Sequence, residues 1–440
     1  MDFQPITPFL FSIRPRARTI DLKTGDWFDD GIKHVSESLA SLLIALQVNP
    51  MIRYQTQSQP CKTLANEVGS IIMNEAKMNK TWRQAAPVDV NSLLLIVDRR
   101  NDLITPMLNN WSYYSMIHEL FSIKNNRIDL SDVPTRQEKD PKELMISVEN
   151  DGFFEENYFK NYGELGTTLK LAVENLKRVK LTQQKVETVE DMRKFIDEYP
   201  EAKRYASCVQ NHVFLMSEMT RLVTEHNLIT VSECEQELVC SLASNSDTLK
   251  KLRQLIATDT IRRIDALRLV SLYTVCKSDK SGLASLIKCL KGRKDVRQED
   301  LEFLRQLQEF NLTVPQNPFD DTVQHVARLI VQGVKGVDNV LTQYKPPLSK
   351  IIDDLQKVNK LRETDFAFSG ERHRDGCPSR IIIFYIGGTT YEEALIVDRN
   401  NRTSQGNVQI IIGGTGVHNF ESFVEGVRQA VLLKGAPGGG

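Results

Sequence analysis

NSLLLIVDRRNDLITPMLNNWSYYSMIHEL, residues Asn91 to Leu120, joins two kinds of polypeptide. It opens on an unbroken apolar run, Leu93 to Val97, too short for a helix and closed by charged residues. A strand buried on both faces of a parallel sheet has this pattern. Asp98 ends the strand, and Asp102 to Pro106 turns the chain outward. Trp111, Tyr114, Ile117 and Leu120 then recur at every third residue, on one face of a helix. An α/β layer is therefore expected to end here and a helical region to begin.

Upstream, Phe9–Ile13 and Met51–Gln55 read as strands. Ile32 to Leu46 and Leu64 to Ile72 carry apolar residues at helical spacing between and after them. Strand, helix, strand, helix, strand argues for a parallel sheet with flanking helices. From Ser112 to about Arg362 the strand signal almost disappears. Helices are expected at Leu165–Val179, Val189–Glu198, Glu201–His226 and Ser232–Leu242, the last started by a capping box of Ser232 and Glu235. Further helices are expected at Thr248–Ala257, Ile264–Val275, Gln298–Gln308, Thr322–Val331 and Leu348–Leu361. The α/β pattern returns in Arg380–Ile386 and Val408–Ile412, followed by helices Tyr391–Val397 and Phe420–Leu432 and a loose tail, Ala436–Gly440. The fold class is α/β plus mainly α. A discontinuous parallel-sheet domain, residues 1–108 and 371–440, receives a mainly helical domain, residues 109–370.

A chain of 440 residues exceeds one ordinary core. With 41% hydrophobic and 26% charged residues its composition is that of a soluble globular protein, and a net charge of −1 gives no global pull toward nucleic acid or membrane. No apolar run approaches the ~20 residues that span a bilayer, and the N-terminus has no secretory signal pattern. The seven cysteines, Cys61, Cys208, Cys234, Cys240, Cys276, Cys289 and Cys377, are scattered and form no CxxC pair. They read as free thiols in a reducing, cytosolic compartment. The sequons at Asn79, Asn311 and Asn401 then carry no glycan.

Gly387-Gly-Thr-Thr390 and Gly413-Gly-Thr-Gly416 stand where strands give way to helices, the place where open α/β sheets bind phosphates. Neither loop is GxGxxG or GxxxxGK[ST], and no lysine follows to meet a phosphate. Tight turns and close packing also require glycine, and that is the plainer reading. A nucleotide-binding α/β enzyme using these loops is the alternative function. His118-Glu119 is not part of HExxH, and no two histidines lie three to five residues apart. Asp98 and Asp102 suit turn amides and helix caps better than acid–base chemistry. The residues call for no catalytic group, no cofactor and no metal.

Charge is uneven around one helical pair. Thr248 to Arg297 holds thirteen Lys and Arg against four Asp and Glu. Such a local basic field favours an acidic partner. Lys250, Lys251, Arg253, Arg262 and Arg263 flank Leu249, Leu252, Leu255 and Ile256, a basic rim around apolar anchors that suits a helical partner. By composition alone a solvated helix face is the plainer reading. Nucleic acid is not expected, because aromatic residues do not interleave with these bases.

DRRNDLITPMLNNWSYYSMIHEL from Asp98, then NNRIDL at Asn125–Leu130, resembles the junction segment of the Sec/Munc (SM) family, which binds syntaxins and promotes SNARE-driven membrane fusion. MIRYQ at Met51–Gln55, SECEQEL at Ser232–Leu238 and DALRLVSLY at Asp265–Tyr273 extend the resemblance. KGVDNVLTQY at Lys335–Tyr344, IGGTTYEEAL at Ile386–Leu395 and IGGTGVHNFESF at Ile412–Phe423 complete it, and the endosomal branch of the family is the closest match. The resemblance implies an arch of three domains, of which the second and third match here in order and the first is expected to be absent. It implies a non-enzymatic chaperone of SNAREs between Golgi and endosomes, whose third-domain helical hairpin templates SNARE helices. Aligned on DALRLVSLY, that hairpin falls at about Asn245–Arg268, and the basic stretch becomes an expected binding surface. Its expected contact residues are Leu249, Arg253, Leu255, Ile256, Arg262, Arg263 and Leu267, although Leu267 shares a face with Val270 and also suits a core. The implied partners are syntaxin-type and other SNAREs, with membranes met only through them. A monomer, peripheral on Golgi and endosomal membranes, is expected.

Overall fold

The computed structural model describes residues 3–14, 20–21, 26–27, 29–78, 89–138, 140–183, 189–312, 340–356, 361–370, 378–404 and 406–432. The expected helix Thr322–Val331, the tail Ala436–Gly440, most of Lys335–Tyr344, Asn79 and Cys377 lie outside the described residues. The chain separates into two compact units, Met1–Leu108 with Thr230–Gly440, and Asn109–Ile229.

A seven-stranded sheet organises the first unit. Arg380–Ile386 runs parallel to Asp89–Asp98 on one side and to Gln409–Gly414 on the other. Leu10–Ser12 extends the parallel array at one end and Pro50–Gln55 at the other. Antiparallel strands Gln4–Thr7 and Phe366–Ser369 close the two edges. Strands from the two ends of the chain thus pair directly, Ile381 opposite Leu93 and Ile383 opposite Leu95. The apolar run that suggested a doubly covered strand is sealed on both faces, with Leu93 to Ile96 at most 2% exposed. Neither edge strand stands out in the sequence, because Gln4–Thr7 and Phe366–Ser369 are only four residues long.

Helices Asp29–Ala45 and Gln59–Met78 bury Val35, Leu39, Leu43, Leu64, Val68 and Ile72 against Leu94, Ile96, Ile382 and Phe384. A second core gathers helices Leu228–Val239, Asn245–Ile256, Arg263–Cys276, Lys280–Lys291, Gln298–Leu312 and Phe420–Leu432 around Leu103 and Met107. The division expected at residues 109 and 371 is therefore cut differently by packing. The helices after Thr230 share one apolar cluster with Leu103, Met107, Phe420 and Val424, so they group with the sheet.

Three local readings change. Helix Leu228–Val239 begins before Ser232, and Ser232 and Glu235, both fully buried, sit inside it, so they form no capping box. A capping box does form at Thr390 and Glu393, at the start of Tyr391–Thr403. Helix Lys280–Lys291, which the apolar periodicity did not announce, starts on Asp279, whose side chain accepts from the Gly282 amide at 2.9 Å. A Cβ on Gly282 would collide with the Tyr273 hydroxyl, so glycine is what lets the two helices approach.

The second unit holds helices Tyr113–Phe121, Gly152–Asn157, Tyr162–Gln183 and Val189–Glu225, with a small ladder of Arg127–Asp129 and Glu143–Met145. Two helices were expected on either side of Pro200. The structure has one helix of 37 residues that runs through Pro200. Aromatic rings fill the core: Tyr114 meets Phe154 edge-on at 4.9 Å, and Tyr158 meets Phe159 at 4.5 Å.

Candidate functional site

The basic stretch folds as two short helices, Asn245–Ile256 and Arg263–Cys276. Ser244 caps the first by accepting from the Asp247 amide. Of the seven expected contact residues, Leu255, Ile256 and Leu267 are 8%, 0% and 1% exposed. Their apolar surface belongs to the core around Leu103 and Phe420 and is not available to a partner. Leu249 is half-buried against that cluster. Arg262 clasps Asp265 through Nε at 2.7 Å and Nη2 at 2.9 Å, and Arg263 pairs with Asp300. Arg253 is exposed. The apolar anchors thus face inward and two of the three arginines hold carboxylates of their own chain.

The core beneath is charged as well as apolar. Arg268 is fully buried, with Nε 3.7 Å from Glu235 and 3.6 Å from Asp265, and its guanidinium lies 4.7 Å from the centre of the Phe420 ring. At the strand ends Arg99 makes two bonds to Glu393, at 2.8 and 2.9 Å, and one to Asp102 at 2.9 Å. It also stacks 4.5 Å over Tyr385. Asp98 is buried, which by itself raises its pKa. Arg100 and the Ser58 hydroxyl outweigh that, and the carboxyl ends below its ordinary value. Burial, then the Glu393 carboxylate, pushes the Tyr385 phenol well above its usual pKa. Asp98 and Asp102 therefore serve turn and cap amides and internal arginines, as Arg100 N to Asp98 and Thr105 N to Asp102 show.

The two glycine loops are closed from within. Gly387 and Gly388 have φ near +90°, which favours glycine. A Cβ on Gly388 would strike the His418 ring, and one on Gly413 the Phe11 ring. The Gly387 amide donates to Thr415 Oγ1 at 3.0 Å, and His418 Nε2 lies 2.7 Å from the Gly387 carbonyl. At the N-terminus of Tyr391–Thr403, Glu393 Oε2 already accepts from the Thr390 amide at 2.9 Å. The charge that a phosphate would bring to this helix end is supplied by the chain's own carboxylate. These loops pack the sheet against its helices.

In the second unit the start of Tyr162–Gln183 packs against the later part of Val189–Glu225: the Tyr162 hydroxyl donates to Thr220 Oγ1 at 2.8 Å, and Gly166 lies against Met216. Leu165 and Leu169 face inward from one helix, and Val209, Leu215, Met219 and Val223 from the other. Leu171 and Val213 stand outside those stripes and are 55% and 41% exposed. Sequence reasoning missed both, and the signal was present: each is an apolar residue out of register with its helix's buried stripe. At the inner end, His212 is held between the Tyr113 hydroxyl, 2.6 Å from Nδ1, and Asp151, 2.9 Å from Nε2. Burial raises the Asp151 pKa, and the His212 bond and charge reverse this, leaving it below the ordinary carboxylate value.

The sequence pattern of the Sec1 family matches residues 1–426, and the chain belongs to that family. It is 37% identical to vacuolar protein sorting-associated protein 45 of Homo sapiens, over 98% of this chain and 75% of that protein. It is 31% identical to the Saccharomyces cerevisiae protein of the same name, over 98% of this chain and 76% of the relative. Among solved structures it is similar to the SM protein Vps45 in complex with the Qa SNARE Tlg2, with a TM-score of 0.86 and 33% identity. That likeness covers 99% of this chain and 77% of the other.

Proposed function

We propose that this chain is an SM-type regulator of SNARE-mediated vesicle traffic, taking a syntaxin-type SNARE as its partner. The observation that carries this reading is the likeness, over 99% of the chain, to a relative solved with a Qa SNARE. Residues 1–108 and 371–440 correspond, in this reading, to the family's second domain and residues 109–370 to its third. The protein acts without catalysing a reaction, on Golgi and endosomal membranes. Its mechanism is preorganisation: a rigid helical platform holds a partner helix in register, and the entropy of assembly falls.

The platform we infer is the long pair Tyr162–Gln183 and Val189–Glu225, not Asn245–Arg268. Supporting this are the exposed Leu171 and Val213 and the interior position of Leu255, Ile256 and Leu267. Pull-down of a purified Qa SNARE cytosolic segment with the full chain tests it. Leu171→Arg and Val213→Arg, each confirmed folded, are expected to weaken binding by about tenfold or more, the scale of a lost interface anchor. Unaltered binding in both moves the platform elsewhere. Calorimetry with ATP, GTP and NAD is expected to show no heat, and binding of any of them would revive the nucleotide reading.

A further inference from the structure

Folding sorts the charge of residues 248–297. Of the four acids in this segment, Asp265 holds Arg262, Asp279 holds Asn245 and Tyr273, and Asp295 holds Arg293. Only Asp259 is left. The cations are spent unequally. Arg262, Arg263, Arg268 and Arg293 lie in internal ion pairs, and Lys251 pairs with Glu237. Lys250, Arg253, Lys280, Lys288, Lys291 and Lys294 are exposed, and none makes an ion pair among the described residues. Among the described residues, the exposed charge of this segment that lies outside ion pairs is therefore mostly cationic, with Asp259 its one acid.

Geometry gathers four of these cations on one face. Helices Asn245–Ile256 and Lys280–Lys291 lie side by side and point the same way. Asn245 Nδ2 is 3.0 Å from Asp279 Oδ2 at their N-terminal ends, and Arg293 Nη1 donates to the Ile256 carbonyl at 3.0 Å at their C-terminal ends. Leu252, Leu255 and Ile256 point into the core from one helix, and Leu283, Leu286 and Leu290 from the other. Helical spacing then turns Lys250 and Arg253, with Ala284, Lys288 and Lys291, outward together.

We propose that this two-helix face docks on an anionic lipid bilayer, through lipid headgroups that meet Lys250, Arg253, Lys288 and Lys291. The occupant follows from chemistry. A specific protein partner needs buried anchors, and the apolar residues of this segment are committed to the core. A bilayer carrying anionic lipid needs only a flat array of mobile cations, which exposed lysines supply. Direct membrane contact goes beyond the expectation that membranes are met only through SNAREs, and beyond the proposed SNARE-binding function. It would orient the protein where its partner is anchored.

Flotation of the full chain with phosphatidylcholine vesicles, with and without phosphatidylserine, at low and physiological salt, tests this. Binding is expected only with phosphatidylserine and should weaken with salt. The triple variant Lys250→Glu, Lys288→Glu, Lys291→Glu should lose binding on the order of a hundredfold, and Lys→Gln at the same positions should lose less. A thermal melt checks that both variants fold. SNARE binding in solution should survive in both variants, which separates failure of this surface from failure of the SNARE reading. No binding to either vesicle at low salt, equal binding to both, or full binding by the variants overturns the proposal. Loss of SNARE binding with vesicle binding retained would also overturn it, by giving the face to an acidic protein.

Discussion

Ile256, in helix Asn245–Ile256, is 0% exposed, whereas Leu171, in helix Tyr162–Gln183, is 55% exposed. Both are apolar residues of amphipathic helices with lysines nearby, and sequence reasoning chose the first helix as the interaction surface. The fold buries the apolar side of that helix instead. The short pair Asn245–Ile256 and Arg263–Cys276 has neighbours on several sides, including Lys280–Lys291 and Gln298–Leu312, so its apolar positions and several of its arginines turn inward. The long pair Tyr162–Gln183 and Val189–Glu225 satisfies its buried stripes within the second unit and leaves apolar residues over. Amphipathicity says that a helix has an inside, not what lies against its outside.

The contrast is broken most directly at Arg268. Arg268→Ala would leave Glu235 and Asp265 buried, and loss of one partner of a buried charged cluster costs about 3–5 kcal/mol. Urea denaturation should show a destabilisation of that size, and a change below about 1 kcal/mol would mean that the short pair is not core. The same arginine chemistry disqualifies one obvious binding test. Arg262→Glu with Arg263→Glu would set new carboxylates against Asp265 and Asp300, so lost binding would report misfolding.

A matched pair of truncations sharpens the comparison. Ile256→Ala is expected to cost about 2–4 kcal/mol through an unfilled cavity. Leu171→Ala should change stability by no more than about 0.5 kcal/mol and yet weaken SNARE binding. Equal destabilisation by the two would erase the distinction between them.

The smallest expected effect is on pH dependence, at Asp151. Its folded pKa lies below the unfolded value of about 3.9, so its contribution is present above that pH and is lost as pH falls through the folded pKa. Asp151→Asn, which keeps a capping side chain for Gly152–Asn157, should be less stable near neutral pH and show a shallower loss on acidification below about pH 4. Superimposable acid limbs would mean that the bond from His212 to Asp151 adds nothing.

The sheet was largely legible beforehand. Leu93–Val97 and Arg380–Ile386 announce themselves because a strand buried on both faces needs an apolar run, and such runs are local in sequence. Phe420–Leu432 was legible with both its ends for the same kind of reason, an unbroken 3.6-residue period. Ser232 with Glu235 misled because a capping box and a buried pair of polar residues look alike until the neighbour is known, and here that neighbour includes Arg268. The candidate surface was read least well. Leu255, Ile256 and Leu267 carry the same residue types whether they meet Phe420 or a partner.

The sequence by itself determined where the central strands lie near both ends of the chain, since strand identity rests on runs and periods written in neighbouring residues. The tertiary structure decided which helix faces are sealed, which carboxylates hold which arginines, and which cations remain on the surface. Those outcomes depend on contacts between segments far apart in the chain, such as Arg268 with Phe420 and Arg99 with Glu393, and no local pattern specifies them.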